Sequence, residues 1–287
     1  MDEEALKNYK KAKEISDNVL GYAKKMDFTG KKILSIAEEL ENVIYSLGGK
    51  PAWPVNISIN EIAAHYTPVK DDPIALKEGD LVKIDIGVHV NGYIWDQAFT
   101  VCVGNKTHPL IEASKKAVEE ALKIVKPGIK IHEISEVIEN TVTNSGFNVV
   151  RNLTGHSLEK YVIHAEPSIP NVKNNIQTAL KEGQVIAIEV FVTNGSGWVK
   201  ESKPSVIYQY ATDKAVRMWE ARKVLDMSKT KFEKLPFTPR WIKDISQFRL
   251  DMALRQLVDV GAIITHPPLK EESNGLVAQT ETTVIIK

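Results

Sequence analysis

Two stretches of this chain carry nearly the same text. Residues 76–86 read LKEGDLVKIDI and residues 180–190 read LKEGQVIAIEV, and aligned without a gap Asp85 falls on Glu189. A His-x-x-Pro stands upstream of each copy, as His65-Tyr66-Thr67-Pro68 and as His164-Ala165-Glu166-Pro167. Each copy also follows a pair of helix-like patterns. In residues 3–47, Leu6, Tyr9, Ile15, Val19, Leu20 and Tyr22 mark one helix, and Ile33, Leu34, Ile36, Ala37, Leu40, Ile44 and Leu47 a second that Gly48-Gly49 stops. Residues 109–145 repeat the arrangement with a break at Pro127-Gly128. The repeat predicts two related halves, each presenting one carboxylate and one histidine to a shared midline.

Further helices are expected near 211–227 and 244–261, and strands near 81–90, 93–103, 184–193, 205–210 and 276–286. Strands and helices interleave without strict βαβ alternation, which predicts an α+β fold. Lys plus Arg equals Asp plus Glu at 37 each, so the chain lacks the basic excess of a polyanion binder, and no nucleic-acid partner is expected. No run approaches 18 apolar residues, and MDEEALKNYKKAK lacks the apolar centre of a signal peptide. Cys102 is the single cysteine, which leaves no intrachain disulfide and no CxxC metal site. A cytoplasmic protein without a membrane partner is the expectation.

The acids are placed by a hairpin. Asn91-Gly92 separates two alternating runs and predicts a two-residue type I′ turn. Val90 then faces Tyr93, Gly87 faces Asp96, and Asp85 and Asp96 become diagonal neighbours on one face, with Cβ atoms roughly 7–8 Å apart. Ile84, Ile86, Val88 and Trp95 lie on the other face and are expected in the core. Glu189 interrupts VIAIEVFV, a run apolar on both faces that predicts a buried strand. A buried carboxylate must be protonated, paired or coordinated. Glu281 sits in a comparable run, LVAQTETTVIIK, and His156 in Thr154-Gly155-His156-Ser157. Two Asp, two Glu and one His suit a site for two divalent metals.

Taken with AAHYTP (63–68), KIDIGVHVNGYIWD (83–96), NLTGHS (152–157), YVIHA (161–165), AIEVF (187–191), LPF-x-x-RW (235–241) and VAQTE (277–281), the sequence resembles methionine aminopeptidases of the second type, in their short archaeal form. The resemblance runs along nearly the whole chain. It implies the pita-bread fold, as a single catalytic domain over 1–287. Its half-repeats cover about 1–105 and 106–204 plus 263–287, and a helical insertion of the second type occupies about 205–262. The family's metal pattern falls on Asp85, Asp96, His156, Glu189 and Glu281, for two ions of Co, Mn, Fe or Zn. The implied reaction removes the initiator methionine from nascent polypeptides or peptides with a small second residue, at the ribosome or free of it, by a monomer. Glu189 would be ligand and proton shuttle, His164 would hydrogen-bond the carbonyl oxygen, and His65 would contact the scissile amide. Trp53, where the family often has Phe, would wall the methionine pocket with Ile163 and His164. The family's aromatic-Glu-His-Thr is replaced by Thr280-Glu281-Thr282-Thr283, so Thr280 and Thr282 are expected to weaken support of the last ligand. A non-catalytic pita-bread binding protein and a proline-specific peptidase of the same fold stay open as alternatives.

Overall fold

The structure is a computed structural model that describes residues 1–105 and 107–287. The first half runs α1 (Glu3–Ala23), α2 (Ile33–Ser46), β1 (Lys50–Pro51), β2 (Asn56–Ile59), β3 (Ile62–Ala64), β4 (Leu81–Val90) and β5 (Tyr93–Cys102). Asp2 caps α1 by accepting from the Ala5 amide at 2.7 Å, and Glu3 and Glu4 complement the positive end of its dipole. Tyr9, Ala12, Ile15, Ser16, Val19 and Ala23 fall three or four apart, so α1 buries one stripe. Ile33, Ile36, Ala37, Leu40 and Ile44 do the same for α2. Both helices cover Val82, Ile84, Ile86 and Val88, the even positions of β4.

The second half repeats the plan with α3 (Pro109–Ile124), α4 (Ile131–Asn144), β6 (Asn148–Val149), β7 (Thr154–Glu159), β8 (Val162–Pro170) and β9 (Val185–Thr193). Ala113, Ala117, Ala121, Ile134 and Ile138 of its helices pack on Ile186, Ile188, Val190 and Val192 of β9. In both halves the helices therefore claim the even positions of the repeated strand, and the odd positions bearing Asp85 and Glu189 are left for the other face.

The duplication extends to individual hydrogen bonds. The Lys77 amide donates to Asp80 Oδ2 at 2.8 Å, and the Lys181 amide to Gln184 Oε1 at 2.6 Å. Gly79 and Gly183 turn with φ of +88° and +79°, which suits a residue without Cβ. Leu76 N–H bonds Lys31 O, and Leu180 N–H bonds Ile129 O, both at 2.9 Å.

The remaining elements are β10 (Val199–Glu201), β11 (Ile207–Tyr210), α5 (Trp219–Thr230), α6 (Gln247–Asp259), β12 (Ile263–His266), β13 (Leu269–Glu271) and β14 (Val277–Ile285). The expected helix at 211–227 starts only at Trp219, because the amides of Ala211 and Thr212 both bond Ala262 O and hold the chain extended there. Helices α5 and α6 close a cluster of their own around Val224, Phe237, Leu250, Leu254 and Leu257, beside the paired β11 and β12. Arg240 ties this unit to the first half. Its guanidinium donates to both carboxylate oxygens of Glu41 in α2, one at 2.6 Å, and to Pro68 O at 3.1 Å. Trp241 Nε1 adds a bond to Glu41 Oε2 at 2.9 Å.

The main sheet has nine strands, with the order β1-β4-β5-β14-β9-β7-β8, β2 pairing β4 and β6 pairing β9. Its middle, β4-β5-β14-β9, is antiparallel throughout, and β14 stands between the two halves. The hairpin register is as expected, Val90 opposite Tyr93 and Gly87 opposite Asp96, with φ of +53° at Asn91 and +85° at Gly92. Among the described residues no helix is long and apolar enough to cross a membrane.

Candidate metal centre

Register builds the site in two neighbouring rows across the sheet. In the first row Asn56, Asp85, Ala98, Glu281 and Glu189 are successive partners from β2, β4, β5, β14 and β9. In the second, Gly87 faces Asp96 and Thr283 faces Ala187, which in turn faces His156 of β7. The Thr283 hydroxyl joins these pairs, donating to Asp96 O at 2.8 Å and accepting from its amide at 2.9 Å. Each of the four central strands thus supplies one carboxylate to one face, and Gly87, Ala98 and Ala187 leave room between them.

Asp96, His156 and Glu281 are fully buried, and one ligand atom of each lies within 4.8 Å of the others. His156 Nε2 is 3.7 Å from Asp96 Oδ2 and 3.9 Å from Glu281 Oε1. Its Nδ1 lies 3.3 Å from Ser157 O, a partner that suits a proton on Nδ1, and its Nε2 faces the acids. Asp85 and Glu189 are half-buried and face the adjoining cavity, outside that close trio. Asp85 accepts from Trp53 Nε1 at 3.1 Å, and Gln279 Nε2 donates to Glu189 Oε1 at 2.8 Å and to Glu281 Oε2 at 3.3 Å.

Four carboxylates share this low-dielectric space, and among the described residues neither Lys nor Arg forms an ion pair with any of them. Burial raises Asp85 to about 7, and burial with the Asp85 charge raises Glu189 to about 8. Asp96 and Glu281 are pushed well above the carboxylate range, by burial first and by their acidic neighbours second. Burial holds His156 neutral, with a pKa of about 3. Asp96 Oδ1 and Glu281 Oε1 are buried without a hydrogen-bond partner. Orphaned oxygens, clustered anions and a neutral imidazole are the donor set of a divalent metal site, and these residues fit one.

A cavity of about 260 Å³ opens beside the acids. Trp53, Ile163, Phe191, Ile207 and Pro236 give it apolar walls, and His65, His164 and His266 give it polar ones. The His164 ring stands edge-on to His156 with centroids 4.6 Å apart, and His65 edge-on to His266 at 5.9 Å. His164 is exposed within the cavity, and the surrounding walls still lower its pKa by desolvation. His65 adopts a left-handed φ of +61°. The two histidines of the repeated His-x-x-Pro thus meet on one cavity, with Trp53 and Ile163 beside them.

The sequence profile of Metallopeptidase family M24 matches residues 7–226. A methionine aminopeptidase of Thermococcus onnurineus is 48% identical over 278 residues, covering 96% of this chain and 93% of its own. The chain belongs to metallopeptidase family M24, among its methionine aminopeptidases. Among solved structures, a thermophilic Arx1 superposes with a TM-score of 0.87 at 21% identity, covering 100% of this chain and 89% of its own. A methionine aminopeptidase from Rickettsia prowazekii superposes with a TM-score of 0.72 at 20% identity, covering 100% and 95%. These two carry the pita-bread fold, and with it the α+β class expected of the chain.

For an M24 metallopeptidase the surroundings of the last acid matter. Thr280 and Thr282 do not support Glu281. Successive side chains of a strand point to opposite faces, so both look toward the helices, and the Thr280 hydroxyl lies 2.8 Å from that of Ser114 on α3. Gln279 and Thr283, two residues either side of Glu281, do face the site, and strand alternation is the signal that finds them. His266 had no such signal: it belongs to β12, and only the tertiary fold brings it to His65, with its Nε2 2.9 Å from Gln209 Oε1. The glycine-bearing segment holding His156 is strand β7.

Proposed function

We propose that the chain hydrolyses the N-terminal methionine from nascent proteins and peptides whose second residue is small, acting as a monomer in the cytoplasm, free or at the ribosome. The observation that carries the reading is the row of four strands, each giving one carboxylate to one face beside two unpartnered buried oxygens. Asp85, Asp96, His156, Glu189 and Glu281 would hold two divalent ions, which supply Lewis acidity toward a water and a peptide carbonyl. The half-buried Glu189 takes the proton of the attacking water and returns it to the leaving amine. His164, open to the cavity, donates to the carbonyl oxygen as negative charge develops there. His65, on the same cavity, hydrogen-bonds the scissile amide. Trp53 and Ile163 pack the methionine side chain on the apolar walls of the cavity. One catalytic unit spans 1–287, with about 205–262 inserted as the outer wall.

The test is methionine release from a Met-Ala-Ser peptide by metal-stripped protein after adding back Mn, Co, Fe or Zn, with Ala-Pro-Ser as the competing substrate. Metal-dependent release of methionine alone, lost in Glu189→Gln, is the expected result. Release of alanine from Ala-Pro-Ser instead would turn the reading toward a proline-specific peptidase.

A further inference from the structure

Trp53 does more than its place on the pocket wall requires. The residue is nearly buried, at 7% exposure, and follows β1 in a short bend pinned by the Ala52 amide to Gly87 O at 2.9 Å. Its six-membered ring lies flat on the Gly87 main chain. A Cβ at Gly87 would stand 2.4 Å from Trp53 Cη2 and 2.5 Å from Cζ2 and Cζ3, so only glycine permits this seat. From there Nε1–H points at Asp85 and donates to Oδ1 at 3.1 Å. Gly87 is itself the hairpin partner of Asp96, so the indole covers the residue opposite one aspartate while it bonds the other. Among aromatic side chains a phenylalanine could form the wall but has no donor, and a tyrosine places its hydroxyl off the far end of the ring.

We propose that Trp53 is a positioning residue of the metal centre, fixing the Asp85 carboxylate through Nε1–H···Oδ1 so that its remaining lone pairs face Asp96 and Glu189. The inference rests on the metal-site reading above. Asp85 is half-buried and lines the cavity, outside the close buried trio, so its carboxylate orientation depends on the side chains that bond it. Fixing it beforehand spares the ion the entropy of ordering that side chain, and outer partners of this kind change metal affinity about 10–100-fold. The same ring thereby serves pocket and centre, the apolar face toward the substrate and the polar edge toward the ligand.

The experiment titrates metal-free wild-type and Trp53→Phe proteins with Mn²⁺ calorimetrically, and records the visible spectra of both after loading with Co²⁺. The phenylalanine keeps the wall, so the expected result is a weakening of ion affinity by about 10–100-fold, an altered Co²⁺ spectrum, and a fall in kcat with KM for Met-Ala-Ser little changed. Trp95→Phe, which removes a buried indole from the helix side of the same hairpin, should leave affinity and spectrum as in the wild type. Equal affinity and identical spectra for wild type and Trp53→Phe would overturn the proposal while leaving the metal site intact. Failure of the wild type to bind any ion would overturn both. If Trp53→Phe does not fold, the ¹⁵N-labelled indole signal of Trp53 in the wild type decides: a shift on adding Zn²⁺ supports the proposal, and an unmoved signal overturns it.

Discussion

At the scale of single residues the centre depends on side chains that would not themselves bind a metal. Gln279 shares one amide group between Glu189 and Glu281, two acids that sit directly opposite each other. Replacing it with Leu keeps the volume but removes the donor. Ion affinity measured by calorimetry should drop about 10–100-fold, and an unchanged value would show that the strand pairing alone aligns the two acids. Glu271 illustrates the opposite environment. Burial pushes its pKa up, but bonds from the Ser196 hydroxyl, the Gly275 amide and Ser273 outweigh burial and bring it to about 2. A depressed carboxylate contributes stability that is complete above its unfolded value of 4.5 and is lost as pH falls toward 2. Glu271→Gln should therefore lower the denaturation midpoint at pH 7, with the gap to wild type closing below pH 4. A gap of constant size across that range would mean that the charge on Glu271 has no part in it.

At the scale of elements, what was legible depended on whether a local rule fixed the geometry. The Asn91-Gly92 hairpin was legible to the register, because its turn needs two positive φ angles and few residue pairs supply them. The repeated strands were legible too, since an acid inside VIAIEVFV has no apolar excuse. Strand β7 was not: its burial runs almost unbroken through Gly155, His156, Ser157 and Leu158, which erases the alternation a strand normally shows. Thr280 and Thr282 flank Glu281 in sequence but face away from it in a pleated strand, which leaves its surroundings to Gln279 and Thr283. His266 was illegible because no local rule links β12 to His65. The same element logic makes Gly155 a sensitive point. A Cβ there would lie 2.5 Å from Ala187 O, a backbone atom that cannot step aside. Gly155→Ala should cost about 1–3 kcal/mol in chemical denaturation and displace His156, weakening ion binding in parallel. Full stability with normal binding would show that β7 shifts freely against β9.

At the scale of the whole molecule two couplings follow. The metal-free protein carries Asp85 and Glu189 with pKa values raised to about 7 and about 8. A raised acid contributes stability at low pH and loses it as pH climbs through its folded value. His65, His89, His156, His164 and His266 are all held below their usual 6.5, so their opposing slope fades within about a unit above that pH, where they are neutral folded or unfolded. The melting temperature of chelated protein should therefore fall between pH 6.5 and about 8.5, and saturating Mn²⁺ should remove the fall. A flat profile without metal would contradict the crowding of the acids. The second coupling is Arg240, whose buried pair with Glu41 joins the outer helical unit to the first half. Arg240→Met strands the Glu41 carboxylate and should destabilise by about 3–5 kcal/mol, whereas the double change with Glu41→Leu should recover much of the loss. Finally, the strand that comes last in sequence is laid in the middle of the sheet, between β5 and β9. Without β14 the facing edges of β5 and β9 would have no strand to pair with. The same strand that bridges the two halves also carries Glu281 into the row of acids, so β14 acts as a keystone for the sheet and for the site at once.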